Sequence, residues 1–236
     1  MNVLCIGNSF GSDATHYLHG IAASAGRGIT VVNLYIGGCP LSKHYRNMLS
    51  EERAYAMEFN GQSTGFYVSL KEALLTREWD AVILHQASPV SVNYETYQPY
   101  LNELAAYVKK LSPKAKIVIQ ETWEYEKDSN KLASIAYTDP TAMYNDLHNA
   151  YQKAAKDVGA DKVIPSGTMF HDLIGKGFAV HRDSFHASYG MGRYALALLW
   201  FHVLTGKDVT DNTFNAFDAE VSPEEIEAVK KCVMQF

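Results

Sequence analysis

The sequence predicts an α/β protein of three layers, with helices on both faces of a parallel sheet of about five strands. Two patterns and the chain's size support this. Short apolar runs alternate with helix signals along the chain, which is the order of a parallel sheet built from βα units. Several of those runs are apolar without interruption, as strands covered on both faces are. At 236 residues, 47% hydrophobic and 20% charged, the chain suits one globular domain with ample material for a core. The expected domain is residues 1–236, with a core over about 1–205 and a C-terminal helix near 222–234 packed on it.

The elements follow in order. Residues 2–6 are predicted to be the first strand, with Ser12 or Asp13 capping a helix to about residue 25. Leu18, Ile21, Ala22 and Ala25 fall on one face of that helix. Val31, Val32 and Leu34 mark a second strand. Ser69 and Glu72 have capping-box spacing before the helix that follows. "AVILH" from Ala81 and "KIVIQ" ending at Gln120 are two further strands, separated by a helix from about Tyr94 to Leu111. Asp139-Pro140 reads as an N-cap and first helical residue, starting a helix to about residue 158. "DKVIP" is the fifth strand. Helices from about Gly190 to Leu204 and from Ser222-Pro223-Glu224-Glu225 complete the chain. The stretch Tyr45–Phe66 has no clear assignment and is read as a helical insertion shaping a cleft or touching a partner.

The formal charge of −5 argues against nucleic acid as a partner, since that would favour a basic face. No apolar run is long enough to span a bilayer, so no membrane role is expected. The three cysteines, Cys5, Cys39 and Cys232, form no close pair and no zinc pattern. With no visible signal peptide, they favour a cytoplasmic location; a secreted form with its leader removed would read the same. Oligomeric state is not legible.

Ligands of such sheets gather at the carboxyl ends of the strands. Those ends read Gly7-Asn8-Ser9, Ile36-Gly37-Gly38, His85-Gln86-Ala87-Ser88 and Gln120-Glu121-Thr122-Trp123. Ser9 lies in a strand-to-helix turn, where unpaired backbone N–H groups can hold an oxyanion. A hydroxyl alone is a weak nucleophile and needs a base. Taken alone, Ser9 is equally well a turn residue with Asn8 supporting the backbone. Far along the chain, "RDSFHAS" places Asp183 and His186 three positions apart on a loop. That spacing lets a carboxylate fix one imidazole nitrogen while the other faces a nucleophile. A solvated Asp and a packing His fit the same words.

Together, Gly7-Asn8-Ser9, a glycine after the second strand and Asp183-Ser184-Phe185-His186 resemble the SGNH (GDSL-like) hydrolases over roughly residues 1–205. The resemblance implies a flavodoxin-like three-layer fold and ester hydrolysis without metal or cofactor. It implies Ser9 as nucleophile, His186 as base and Asp183 as orienting carboxylate. The oxyanion donors would be the Ser9 N–H, the N–H of Gly38 (or Gly37) and a side-chain amide. GNS replaces the family's GDS, which suggests a carbohydrate-esterase-like branch. The family's GxND block has no match, so Gln86 is taken as the third donor, with His85 and Ser88 as alternatives. Asn8, His85 and Trp123 are taken as substrate-binding. Tyr45, Tyr125 and Trp123 could stack on a sugar at the rim or pack beneath a loop. His16 and His19 share a helix face but read as surface or boundary residues rather than zinc ligands. His171 and His181 are ambiguous.

The function expected is hydrolysis of small acyl esters, acetyl groups on a carbohydrate above all. The alternatives are an acyltransferase, thioesterase or lysophospholipase on the same fold, or a non-catalytic carbohydrate-binding protein on a degenerate one. A metal-dependent hydrolase is the weakest.

Overall fold

A computed structural model describes residues Met1–Phe236. Its centre is a seven-stranded sheet of order β4-β3-β2-β1-β5-β6-β7. Strands β1 (Asn2–Gly7), β2 (Thr30–Tyr35), β5 (Ala81–Leu84), β6 (Lys116–Gln120) and β7 (Lys162–Ile164) run parallel. These are the five expected strands, in the flavodoxin-like order. Val3–Ile6 and Ala81–Leu84 are buried throughout, because helices cover both faces of the sheet.

The sheet has seven strands rather than about five. The extra two, β3 (Tyr55–Phe59) and β4 (Gln62–Val68), form an antiparallel hairpin on the β2 edge. They occupy most of the stretch expected to be helical; only its start lies in a helix, α3 (Leu41–Ser50). Asn60 (φ 50°) and Gly61 (φ 81°) make the two-residue turn, where both positions need positive φ. β4 is largely exposed and carries Phe66 and Tyr67 on its surface, so no periodic apolar pattern announced it.

Helix α1 (Ser9–Thr15) begins at least four residues earlier than expected. Asn8 is its N-cap, accepting a hydrogen bond from the Phe10 N–H, and Ser12 lies inside it. The chain then restarts as α2 (Leu18–Ser24). Thr15 Oγ1 donates back to the Gly11 carbonyl, a bond that loosens the last turn of α1. The capping boxes at Ser69/Glu72 and Ser222/Glu225 open α4 (Leu70–Leu75) and α10 (Pro223–Val233). α5 runs from Tyr100 to Leu111; Pro99 lacks an N–H and ends the 3₁₀ turn Tyr94–Thr96 that the sequence had suggested as its first turn.

Asp139 caps α7 (Pro140–Val158) as expected, after the short α6 (Asn130–Ala133). α8 (Ser166–Gly175) was not anticipated. α9 (Met191–Thr205) is buried on nearly every side, packed against α1, α2, α10 and β7. It therefore anchors the loop that precedes it. No helix is long and apolar enough to cross a membrane.

Candidate active site

The parallel register aligns the strand ends. Ile6 pairs with both Leu34 and Leu84, so the residues after β1, β2 and β5 emerge on one sheet edge. There a cleft of about 400 Å³ is lined by Ser9, Gly37, Gly38, Ser88, Phe185 and His186, among others.

Ser9 is the first residue of α1, placed there by the Asn8 cap. Its Oγ lies 2.8 Å from His186 Nε2. His186 Nδ1 lies 2.8 Å from Asp183 Oδ2, and the His186 N–H donates to Asp183 Oδ1 at 2.9 Å. Partial burial opposes ionisation of Asp183. The hydrogen bonds from His186 and the Arg182 charge outweigh it and hold the carboxyl below its usual range. The three side chains thus form one hydrogen-bonded line, although 177 positions separate Ser9 from His186.

The loop carrying His186 is fastened from three sides. It closes on itself through the His181–Ala187 bridge and the Arg182 N–H to the His186 carbonyl at 3.0 Å. Trp123 Nε1 donates to the Phe185 carbonyl at 2.8 Å, and the Glu126 N–H to that of Ser184 at 2.8 Å. The third attachment is Asp13, buried in α1. It accepts from Arg182 Nη1 and Arg193 Nε at 2.9 Å and from the Ala187 N–H at 3.2 Å. Ser184 holds a positive φ of 70°, a local strain that this surround sustains. Asp13, expected as an alternative helix cap, lies inside α1 instead, and Arg182 and Arg193 escaped the sequence reading. A lone aspartate in an apolar helix face was the only signal, and its partners lie 169 and 180 positions away.

Several expected site residues are elsewhere. Gln86 is buried, and its amide is fully engaged: Oε1 accepts from the Leu41 and Ala87 N–H groups, and Nε2 donates to Thr96. It is therefore a strut between loops and not an oxyanion donor. Ser88 stands at the cleft instead, its Oγ 2.8 Å from the Tyr125 hydroxyl. His85 is 1% exposed beneath α1, against Gly7 and Gly11, and reaches no substrate. Burial lowers its pKa to about 4.

Trp123 is also fully buried, stacked on Phe10 at 4.1 Å; it supports the His186 loop and does not line the cleft. Tyr45 packs on Tyr100, and Tyr125 is buried. Asn8 does line the cleft, but its Nδ2 donates to the Cys39 carbonyl at 3.3 Å, steadying the Gly37–Gly38 turn. Gly38 has φ 60°, a conformation glycine adopts without cost. The N–H groups of Ser9 and Gly38 have no hydrogen-bond partner within the chain.

His16 binds Asp218 and His19 the Ile29 carbonyl, so that pair is structural. His171 and His181 border a second cavity, about 480 Å³, behind the loop after β6. It is larger than the cleft, but neither Ser9 nor His186 reaches it. No cluster of three or more His, Cys, Asp or Glu could hold a metal. The thiols are buried, and burial raises the pKa of Cys39 to about 12 and of Cys232 to about 11.

The fold has relatives. A DUF4886 family protein from Bacteroides uniformis superposes with a TM-score of 0.91 at 31% identity, covering 100% of this chain and 93% of that one. A candidate SGNH hydrolase from Slackia heliotrinireducens gives a TM-score of 0.62 at 22% identity, covering 86% and 98%. Phospholipase A1 from Streptomyces albidoflavus gives 0.51 at 14% identity, covering 87% and 98%. At these lower identities the likeness is one of fold, that of the SGNH and GDSL-like hydrolases. No curated protein sequence matches the chain. The family described as "Domain of unknown function (DUF4886)" matches residues 2–233, and the chain belongs to that family.

Proposed function

We propose that this protein is a serine ester hydrolase acting on small acyl esters, acetyl esters of a carbohydrate being the leading substrate class. The observation that carries the reading is the line from Ser9 Oγ through His186 to Asp183, with both links at 2.8 Å. Ser9 Oγ attacks the ester carbonyl while His186 Nε2 takes its proton; Asp183 holds the Nδ1–H tautomer and stabilises the imidazolium. The oxyanion forms beside the free N–H groups of Ser9 and Gly38, with the Ser88 hydroxyl in the place the sequence had given to Gln86. His186 returns the proton to the departing alcohol, then activates a water that releases the acid and restores Ser9.

A preference for short acyl groups rests on the cleft itself. It is about 400 Å³, and Phe10, Pro89 and Phe185 form its chief apolar surfaces beside the polar Asn8, Ser9 and Ser88 and the cations Lys131 and Arg182. A long-chain lipase would need a continuous apolar groove. The decisive experiment is hydrolysis of p-nitrophenyl acetate by wild type and Ser9→Ala, with circular dichroism to verify the fold. Loss of turnover in a folded variant is expected, and unchanged turnover would sink the assignment. A C2-to-C12 ester series tests chain length: rates should fall beyond short acyl groups, and a maximum at C8 or longer would favour the lipase alternative.

A further inference from the structure

The charges that line the cleft are all basic. Lys131 and Arg182 face it beside His186, and no aspartate or glutamate lines it, in a chain of formal charge −5. The two cations are not equivalent. Arg182 Nη1 is committed to both Asp13 oxygens and to the Ala187 carbonyl, so its charge is largely answered within the protein. Lys131, half-buried on α6, has no carboxylate partner and no hydrogen-bond acceptor; its Nζ lies 4.4 Å from the centre of the Phe185 ring. Phe185 in turn packs tilted against the His186 ring, with the ring centres 3.9 Å apart. One aromatic ring therefore separates an unanswered ammonium from the catalytic imidazole. Low-dielectric walls strengthen the field of such a charge inside a cleft. Asp183 opposes it, but that carboxylate is bound on the far side of His186.

We infer that Lys131 selects esters whose acceptor half carries a carboxylate, which it pairs while the acyl carbonyl sits at Ser9. This rests on the ester-hydrolase reading of Ser9 and names its substrate class. Lysine suits the role as a point charge on a flexible stem, tolerant of where the carboxylate lies.

The test compares 4-acetoxybenzoate with its neutral methyl ester, which releases the same acetyl group. After correction for their hydroxide-catalysed rates, wild type should favour the anion by about tenfold in kcat/KM at low salt. The preference should shrink as salt screens the pair. Lys131→Met keeps the stem over Phe185 and should collapse the ratio; Lys131→Glu should invert it, and Lys131→Arg should retain it. The effect should fall on KM for the anion more than on kcat. A corrected ratio near one in wild type, or a ratio unmoved in Lys131→Met, overturns the inference while leaving the hydrolase reading intact. Absence of Ser9-dependent turnover of either ester removes both.

Discussion

Arg182 Nη1 meets both carboxylate oxygens of Asp13 at 2.9 Å, joining the helix that starts at Ser9 to the loop that ends at His186. Asp13 is 1% exposed and Arg182 keeps only 19% of its side chain exposed, so water cannot replace either partner freely. Truncating one member of a buried pair leaves the other charge unpaired, a loss of about 3–5 kcal/mol. Asp13→Ala should lower thermal stability strongly. Where folded protein remains, it should also reduce kcat, because the nucleophile and base no longer share a frame. Thermal unfolding alongside kcat per folded molecule checks this; a fully active, fully stable variant would refute it.

Trp123 serves the same loop through its indole N–H. Trp123→Phe keeps much of the stacking on Phe10 but removes the hydrogen bond to the Phe185 carbonyl. The expected result is a fall of about tenfold in kcat with a smaller change in KM, since misplacing a base by a fraction of an ångström costs rate more than binding. Steady-state kinetics on p-nitrophenyl acetate separates the two constants. A change confined to KM would return Trp123 to the substrate.

Gln86 and Ser88 should differ in their effect on catalysis. Gln86→Ala strands buried groups at Leu41, Ala87 and Thr96, at a cost of about 1–3 kcal/mol, with activity following the folded fraction. Ser88→Ala strands the buried Tyr125 hydroxyl, at a similar cost of about 1–3 kcal/mol, but should also lower kcat per folded molecule by roughly tenfold or more through loss of an oxyanion donor. The kcat per folded molecule, with melting curves to count the folded fraction, decides the matter. The reverse pattern would restore Gln86 as the donor.

Asp183→Asn should cut kcat/KM by up to about 10⁴-fold, because the amide favours the wrong imidazole tautomer. The wild-type carboxyl is held below its ordinary range by its bonds to His186. It should therefore stay ionised through pH 5, and the acid limb of kcat/KM should show a single protonation. Two protonations in that limb would contradict this placement of Asp183.

Buried histidines predict acid lability. Burial lowers His85 and His181 to about 4 and His44 to about 3, against 6.5 for the free group. Above pH 6.5 these groups are neutral in both states and stability is complete. Below it the unfolded chain gains protons that the folded chain refuses, so stability falls from about pH 6.5 toward 4, and for His44 toward 3. His85 alone should contribute about 3 kcal/mol of this loss by pH 4. Urea unfolding of His85→Leu against pH should show a slope about one proton smaller in that window. An unchanged slope would mean that His85 is not held neutral.

The sequence by itself determined the five parallel strands, the capping box at Ser69/Glu72, the helix start at Ser222 and the chemistry-bearing segments at residues 7–9 and 183–186. Those are local signals: apolar runs, fixed-offset caps and short polar motifs. The Asn60-Gly61 turn of the hairpin was also legible, as the usual dipeptide of a tight β-turn, but the exposed aromatics of β4 obscured the strands around it. Asn8, one residue before Ser9, likewise could have been read as the cap of α1.

Only the tertiary structure decided which polar residues face the cleft. Gln86, His85 and Trp123 follow their strands as Ser88 does, and all four are buried, yet only Ser88 lines the cleft. A side chain's direction beyond a strand end depends on distant partners: Thr96 and Leu41 for Gln86, Gly7 and Gly11 for His85, Phe10 and Phe185 for Trp123. The Asp13–Arg182–Arg193 knot and the unanswered charge of Lys131 depend on contacts of the same kind. Local sequence fixes backbone propensity over a few residues, whereas burial and charge pairing arise when segments far apart in the chain are packed together.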